Sequence, residues 1–300
     1  MAASAQRVAV IVNPISGTGG RPEVARRRIA FAETVLKARG EGASLFVTEY
    51  AGHARDLARA AVENGVPLVV AWGGDGTVNE IASELVFRDV ALGIIPSGSG
   101  NGLSRELGIP FDPRSAFEIA FAGRERVMDA GELDGHLFFN IAGFGLDARV
   151  AHEFASNGLV RRGFARYLEI AARELFSFVP EDHTIVAEGV ATRTRALLVA
   201  LANGRQYGNG ALIAPRARLD DGQLDLVIVS SRSPLAILLQ APMLFAGCVG
   251  DLPGVTMTTV SAVEITSSRP VLYHVDGEPF VGGASLTARV RPNALRVRVP

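Results

Sequence analysis

The residues best suited to chemistry lie in three glycine-rich clusters: Asn13-Pro14-Ile15-Ser16-Gly17-Thr18-Gly19-Gly20, Gly73-Gly74-Asp75-Gly76-Thr77 and Pro96-Ser97-Gly98-Ser99-Gly100-Asn101. Glycine lets the backbone approach a phosphate without an intervening Cβ, and a following helix N-terminus offers free amides and a positive dipole end. One such loop is equally well explained as a tight turn; three on the same edge of one sheet argue for a phosphate cradle. Thr77 and Glu80 have the spacing of a capping box, which accounts for both without any function. Asp75 has no such explanation, because a carboxylate among phosphate-binding amides is unfavourable unless it serves a metal or accepts a proton. Two acidic clusters follow. Asp220-Asp221-Gly222-Gln223, before Leu224-Asp225, suits a hard cation if backbone carbonyls help, and suits an Asp-Gly turn equally well. Asp276-Gly277-Glu278 offers a general base and a polar clamp, or a mere turn.

The elements that position these clusters change character along the chain. The first third alternates strand and helix: Val8 to Val12, then a helix over Glu23 to Lys37; Leu45 to Thr48, then His53 to Glu63; Val66 to Trp72, then Thr77 to Val86; Ala91 to Ile95, then Gly102 to Leu107. Short runs that are apolar on both faces, alternating with helices, predict a parallel sheet covered on both sides, with ligands beyond the carboxyl ends of its strands. From Arg126 onward, short strand-like runs separated by turn residues predict an antiparallel sandwich or barrel, interrupted by one long helical insert over Ala151 to Phe178. The expected fold is therefore an α/β nucleotide-binding domain with a parallel sheet, followed by an antiparallel β-sandwich domain.

Composition removes several alternatives. The chain has 300 residues, 48% hydrophobic and 20% charged, with 30 basic against 31 acidic side chains, so it offers no global field for nucleic acid. Lys37 is the only lysine, and Ala38 and Arg39 follow it. No G-x-x-x-x-G-K-[ST] loop exists, and phosphate must be held by backbone amides, arginine and metal. The lone Cys248 excludes an intrachain disulfide and fits a reducing compartment. No signal peptide is expected from Met1 to Gln6. The uncharged stretch Leu235 to Gly250 is shorter than the ~20 residues of a spanning helix and predicts a buried or surface-docked helix. Gly143-Phe144-Gly145-Leu146-Asp147-Ala148 fits G-x-G-x-x-A but falls outside the alternating half, and His152-Glu153 lacks the second histidine of a zinc-protease motif. Around Arg161, Arg162 and Arg166, the apolar Leu159, Phe164, Tyr167 and Leu168 could form an arginine-aromatic face for anionic headgroups, or an ordinary amphipathic helix.

Asn-Pro-x-Ser-Gly, Gly-Gly-Asp-Gly-Thr-x-Asn-Glu (Gly73 to Glu80), Pro-x-Gly-Ser-Gly-Asn (Pro96 to Asn101), Gly-Phe-Gly-x-Asp-Ala (Gly143 to Ala148), Asp-Asp-Gly-x-Leu-Asp (Asp220 to Asp225) and Asp-Gly-Glu-Pro (Asp276 to Pro279) together resemble the ordered motifs of the diacylglycerol/sphingosine lipid kinases, in particular their soluble bacterial members. The second motif is shared with NAD kinases and phosphofructokinases; the last three separate them. The resemblance implies a kinase domain over residues 1–126, a β-sandwich substrate domain with a helical insert over 127–285, terminal strands over 286–300 returning to the first sheet, and ATP bound in a cleft between the domains.

Carried over residue by residue, the resemblance implies nucleotide contacts from Asn13, Thr48, Gly74, Asp75, Gly76, Thr77, Val78, Asn79, Glu80 and Ser99, with Glu278 near the nucleotide. Asp276 matches the base that accepts the lipid hydroxyl's proton, and Asp75 is the second candidate. A structural Mg²⁺ would take the carboxylate of Asp221 and the carbonyls of Arg218 and Gln223. Gly102 in place of the aspartate of many diacylglycerol-type members, and Ser99 in place of their threonine, are closer to the sphingosine type. The implied partners are ATP and a lipid alcohol, with transient membrane-surface contact, no nucleic acid, and a homodimer left open; the implied location is cytoplasmic, peripheral at the inner membrane face. Two rivals remain: a kinase of NAD or another soluble alcohol, and a non-catalytic lipid-binding protein on the same fold.

Overall fold

A computed structural model describes residues 7–17, 21–40, 42–156, 164–230 and 232–300. The chain forms two compact units, Met1–Met128 with Asn293–Pro300, and Asp129–Pro292. In the first, β1 (Val8–Val12), α1 (Pro22–Arg39), β2 (Ala43–Val47), α2 (His53–Glu63), β3 (Leu68–Gly73), α3 (Asp75–Leu85), β4 (Ala91–Pro96), α4 (Gly102–Glu106) and α5 (Pro113–Ala122) follow in order. Every residue of β1, β3 and β4 is buried, as strands covered on both faces require, whereas β2 alternates and forms the edge. The strands run parallel in the order β2-β1-β3-β4. The chain moves outward from β1 to β2 and returns on the other side to β3, so the order reverses between β1 and β3, where ligands of such sheets bind. α2 buries Ala54, Ala58 and Ala61 at helical spacing, and α5 is started by Asp112, whose carboxylate accepts from Ser115 N, with Pro113 at its first position.

The second unit holds most of β5 (Arg124–Leu133), then β6 (His136–Phe138), β7 (Ile141–Gly145), α6 (Leu146–Ser156), α7 (Phe164–Ser177), β8 (His183–Ala187), β9 (Val190–Thr194), β10 (Ala196–Ala202), β11 (Leu224–Ser230), α8 (Pro234–Gln240), α9 (Pro242–Ala246), β12 (Val255–Val260), β13 (Ala262–Ser267), β14 (Leu272–Val275), β15 (Glu278–Val281) and the start of β16 (Ser285–Val299). One antiparallel sheet has the order β12-β11-β10-β7-β14-β15; in the other, β16, β13, β8 and β9 are neighbours, and β5 pairs with β16 and β6. Phe138, Phe144, Leu201, Leu226, Ile265, Tyr273 and Leu286, drawn from both sheets, make the core of a sandwich. The far end of β16 lies in the first unit, where Arg296 and Val297 pair in parallel with Ala91 and Leu92 of β4.

The helical insert departs from expectation. The helical insert is two helices rather than one, because its apolar stripe is buried against itself: Val150 of α6 and Ile170 of α7 share a core cluster, and the Phe154 and Tyr167 rings meet at 5.9 Å. Of the arginine-aromatic face, Leu159, Arg161 and Arg162 lie outside the described residues, and Arg166 pairs with Glu169. The uncharged stretch after Leu235 is docked on the surface, one of the two placements expected of it, though as two short helices and not one. It forms α8 and α9, which turn only Ile237 and Leu244 toward core clusters, while Leu235, Leu238, Leu239 and Phe245 face outward.

Candidate active site

At the carboxyl ends of β1, β3 and β4 the three glycine-rich loops pack backbone against backbone. A Cβ on Gly17 would stand 1.8 Å from Ser97 O, and one on Gly98 would stand 2.7 Å from Gly74 Cα. No side chain larger than hydrogen fits there, which is why these positions are glycine. Asn101 closes the third loop on itself, its Oδ1 accepting from Gly98 N at 2.8 Å and its Nδ2 donating to Gly98 O at 2.7 Å. Arg28 holds the first loop, donating to the carbonyls of Asn13 and Ser16, both at 2.9 Å.

α3 begins at Asp75, so Thr77 is not its cap and the capping box is corrected: Gly74 occupies the cap with no side-chain bond. Thr77 Oγ1 instead accepts from Asn13 Nδ2 at 2.9 Å, joining the first two loops, and Glu80 Oε1 accepts from Gly52 N at 3.2 Å. Asp75, which the sequence left unexplained, has backbone partners. Its Oδ2 accepts from Asn101 N at 2.8 Å and its Oδ1 from Gly102 N at 2.7 Å, so it supplies at the start of α4 what a capping side chain would. Of the other implied nucleotide contacts, Thr48 lies just beyond β2 with its N–H on Val12 O, Val78 and Asn79 are buried in α3, and Ser99 is exposed at the tip of the third loop. Gly76 differs from its neighbours. Its φ is not in the left-handed region and a Cβ there would meet nothing within 4 Å, so no protein atom requires glycine at the first turn of α3.

In the second unit, Asp276 and Gly277 form the turn between β14 and β15, with φ of 47° and 85° and Val275 paired to Glu278, as an Asp-Gly hairpin demands. The Asp276 carboxylate reaches across to the start of β7 and accepts from the backbone N–H groups of Phe139 (2.9 Å), Asn140 (2.9 Å) and Ile141 (3.1 Å). Arg218, Asp221 and Gln223 lie together on the turn before β11. The buried Asp129 fixes that turn, its Oδ2 accepting from Gly222 N at 2.7 Å and its N–H donating to Leu219 O at 2.6 Å.

The family profile described as "Diacylglycerol kinase catalytic domain" matches residues 7–133, and the one described as "YegS C-terminal NAD kinase beta sandwich-like domain" matches residues 140–299. A protein named "Diacylglycerol kinase" from Mycobacterium tuberculosis (strain ATCC 25618 / H37Rv) is 33% identical over 98% of this chain and 95% of its own length. One named "Probable lipid kinase YegS-like" from Klebsiella pneumoniae (strain 342) is 32% identical over 89% of this chain and 90% of its own length. The chain belongs to the diacylglycerol kinase family. A solved structure of a diacylglycerol kinase from Bacillus anthracis str. Sterne, 19% identical, shares the fold with a TM-score of 0.73 over 98% of this chain and 97% of its own. Family membership makes the protein a phosphotransferase. At the carboxyl end of β3, the N-terminus of α3 has no side-chain cap and a Cβ on Gly76 would meet nothing within 4 Å.

Among the described residues, no three His, Cys, Asp or Glu side chains come together as a metal site. A site of one carboxylate and backbone carbonyls needs no such cluster, and the electrostatics of the 218–225 turn suit it. Burial, then the neighbouring Asp221 charge, push the Asp225 carboxyl up to about 6 against the opposing influence of Arg216. A cation beside Asp221 would relieve that crowding. The sequence reading missed Arg28, Asn101 and Asp129, which act through backbone groups. Only the Asn ending Pro-x-Gly-Ser-Gly-Asn carried a signal, since asparagine tolerates the left-handed conformation it adopts here, φ 50°.

Proposed function

We propose that this kinase transfers the γ-phosphoryl group of ATP to the hydroxyl of a lipid alcohol. The observation that carries the reading is the triple-loop cradle with its uncapped α3 N-terminus, open at Gly76. The N–H groups of Gly76 and Thr77 and the glycine backbones of the three loops are suited to phosphate oxygens, so positioning and charge neutralisation, which a loose phosphoryl transition state chiefly requires, are available without a phosphate-loop lysine. Asn13, Thr48, Val78, Asn79, Glu80 and Ser99 are the further residues assigned to the nucleotide, with Glu278 near it. Asp276 accepts the hydroxyl proton as the acceptor oxygen bonds to phosphorus and the bond to the ADP oxygen breaks. Its three backbone donors orient the carboxylate toward the hydroxyl whose proton it takes.

Mg²⁺, when bound, would supply positive charge to phosphate oxygens at the cradle and rigidity at the turn of Arg218, Asp221 and Gln223. A membrane-borne acceptor is supported by the outward Leu235, Leu238, Leu239 and Phe245, which suit transient contact with a bilayer surface, while no described helix is long and apolar enough to cross one. A screen with labelled ATP against diacylglycerols, sphingoid bases, NAD and soluble polyols tests the reading. Label transferred to a lipid is the expected result; transfer only to NAD or a soluble alcohol, or to none, refutes it.

A further inference from the structure

The Gly-Phe-Gly-x-Asp-Ala motif is not absorbed by the cradle, the base or the metal turn, and the second unit shows where its carboxylate goes. Asp147 lies in the first turn of α6, 7% exposed, facing His274 of β14, 4% exposed. Asp147 Oδ2 accepts from the Tyr207 hydroxyl at 3.0 Å and lies 3.2 Å from His274 Nε2, while Oδ1 accepts from Ala148 N at 2.8 Å. A Cβ on Gly143 would stand 2.7 Å from that Oδ2, so the motif's first glycine makes room for the carboxylate. On the other side of the ring, Gly277 N points at His274 Nδ1 at 3.3 Å.

The hydrogen-bond roles fix the tautomer. A backbone N–H only donates, so Nδ1 accepts, and the ring proton sits on Nε2, where Asp147 receives it. The result is a buried chain from Asp147 through the imidazole to the N–H of Gly277, the second residue of the turn that carries Asp276 and leads into Glu278. We propose that His274, oriented by Asp147 and Tyr207, is a positioning residue that holds the Asp276–Gly277 turn in its left-handed conformation and so aims the Asp276 carboxylate. This inference rests on the reading of Asp276 as the base.

Two near-isosteres separate the two ring nitrogens. Asparagine places an amide oxygen near Nδ1 and keeps the acceptor for Gly277; glutamine reaches the Nε2 position and keeps the contact with Asp147 but leaves Gly277 N–H unmet. We expect His274→Asn to keep kcat within about twofold and His274→Gln to lower it about tenfold, the effect of one lost hydrogen bond, with KM for ATP unchanged in both. Asp276→Asn is measured beside them. Retained turnover in Asp276→Asn refutes the base assignment and this inference with it. Lost turnover there, with equal kcat in the two His274 variants or a KM for ATP that moves with kcat, refutes this inference alone. Should both variants melt early, ¹⁵N shifts of the His274 ring in the wild-type protein decide: the Nε2–H tautomer is required, and the Nδ1–H tautomer overturns the proposal.

Discussion

Replacing Asp75 by asparagine asks whether this carboxylate accepts a proton or holds a loop. It accepts the N–H groups of Asn101 and Gly102 at 2.8 and 2.7 Å, one on each oxygen. Asparagine keeps the shape but turns an NH2 toward one of those donors, so one bond is lost and the other loses its charge. Hydrogen bonds to charged groups contribute roughly 1.5–3 kcal/mol each, which puts the change at about 2–4 kcal/mol, with a further few tenths from the lost anion at the N-terminus of α3. The short α4 has no capping side chain of its own, so these bonds, together with that from Ser97 N to Gly73 O at 2.8 Å, hold the Ser97 to Asn101 loop against the second loop. If ATP must then order that loop, its dissociation constant rises by up to roughly 30- to 700-fold, at tenfold per 1.4 kcal/mol. Calorimetric ATP titration with single-turnover kinetics at saturating ATP reads the two effects apart. A dissociation constant within about twofold of wild type, together with a collapse of the single-turnover rate, refutes the loop-holding argument and makes Asp75 the base.

Gly98→Ala places a methyl 2.7 Å from Gly74 Cα and 3.0 Å from Asn101 Oδ1, so ATP affinity should fall at least about tenfold by calorimetry while circular dichroism stays native; unchanged affinity counts against the loops acting as one cradle. Asp276→Asn should lower kcat by ~10²–10⁴, and, because three backbone donors also lose charge-assisted bonds, it should lower the melting temperature by several degrees too. Normal turnover in that variant removes Asp276 as base. Asp221 Oδ1 accepts from Gln223 N at 3.1 Å, an exposed contact within its own turn, so Asp221→Ala should melt near wild type without metal, yet its melting temperature should no longer rise with Mg²⁺ in the absence of ATP; identical Mg²⁺ responses would mean that Asp221 is a turn residue only. The pair Leu239→Glu and Phe245→Glu, at side chains 74% and 49% exposed, should leave ATP affinity intact and reduce co-sedimentation with anionic lipid vesicles; unchanged sedimentation dismisses α8 and α9 as the contact surface.

The sheet of the first unit was legible because its signal is local. Strands apolar on both faces appear as unbroken runs, and Val8 to Val12 and Ala91 to Ile95 could not be amphipathic helices at that length. The glycine loops were legible for the same reason, although the need for glycine at Gly98 comes from Gly74 in another loop and is invisible in either segment alone. The insert misled and the uncharged stretch was left with two alternatives for a shared physical cause. Hydropathy tells that a face must be covered, not by what: the stripe of Ala151 to Phe178 covers itself, so one helix became two, and Leu235 to Gly250 is covered on a single side.

The carboxylates mark where legibility in the sequence ends. Asp75 stood out as a residue that needs a reason and Asp276 as a base or a mere turn, but the backbone partners of both stand far along the chain, Asp75 with donors 26 and 27 positions away and Asp276 with donors 135 to 137 away. Backbone N–H groups carry no residue type, so no spacing pattern announces them. The capping-box match at Thr77 and Glu80 failed in the same way: a local rule offered partners three residues apart, while the folded chain gives Thr77 to Asn13 and Glu80 to Gly52. The carboxylates of Asp75, Asp129 and Asp276 are all held by backbone amides, and the residues that arrange the backbone around them, Arg28, Asp129 and His274, are the ones a reading of motifs passes over.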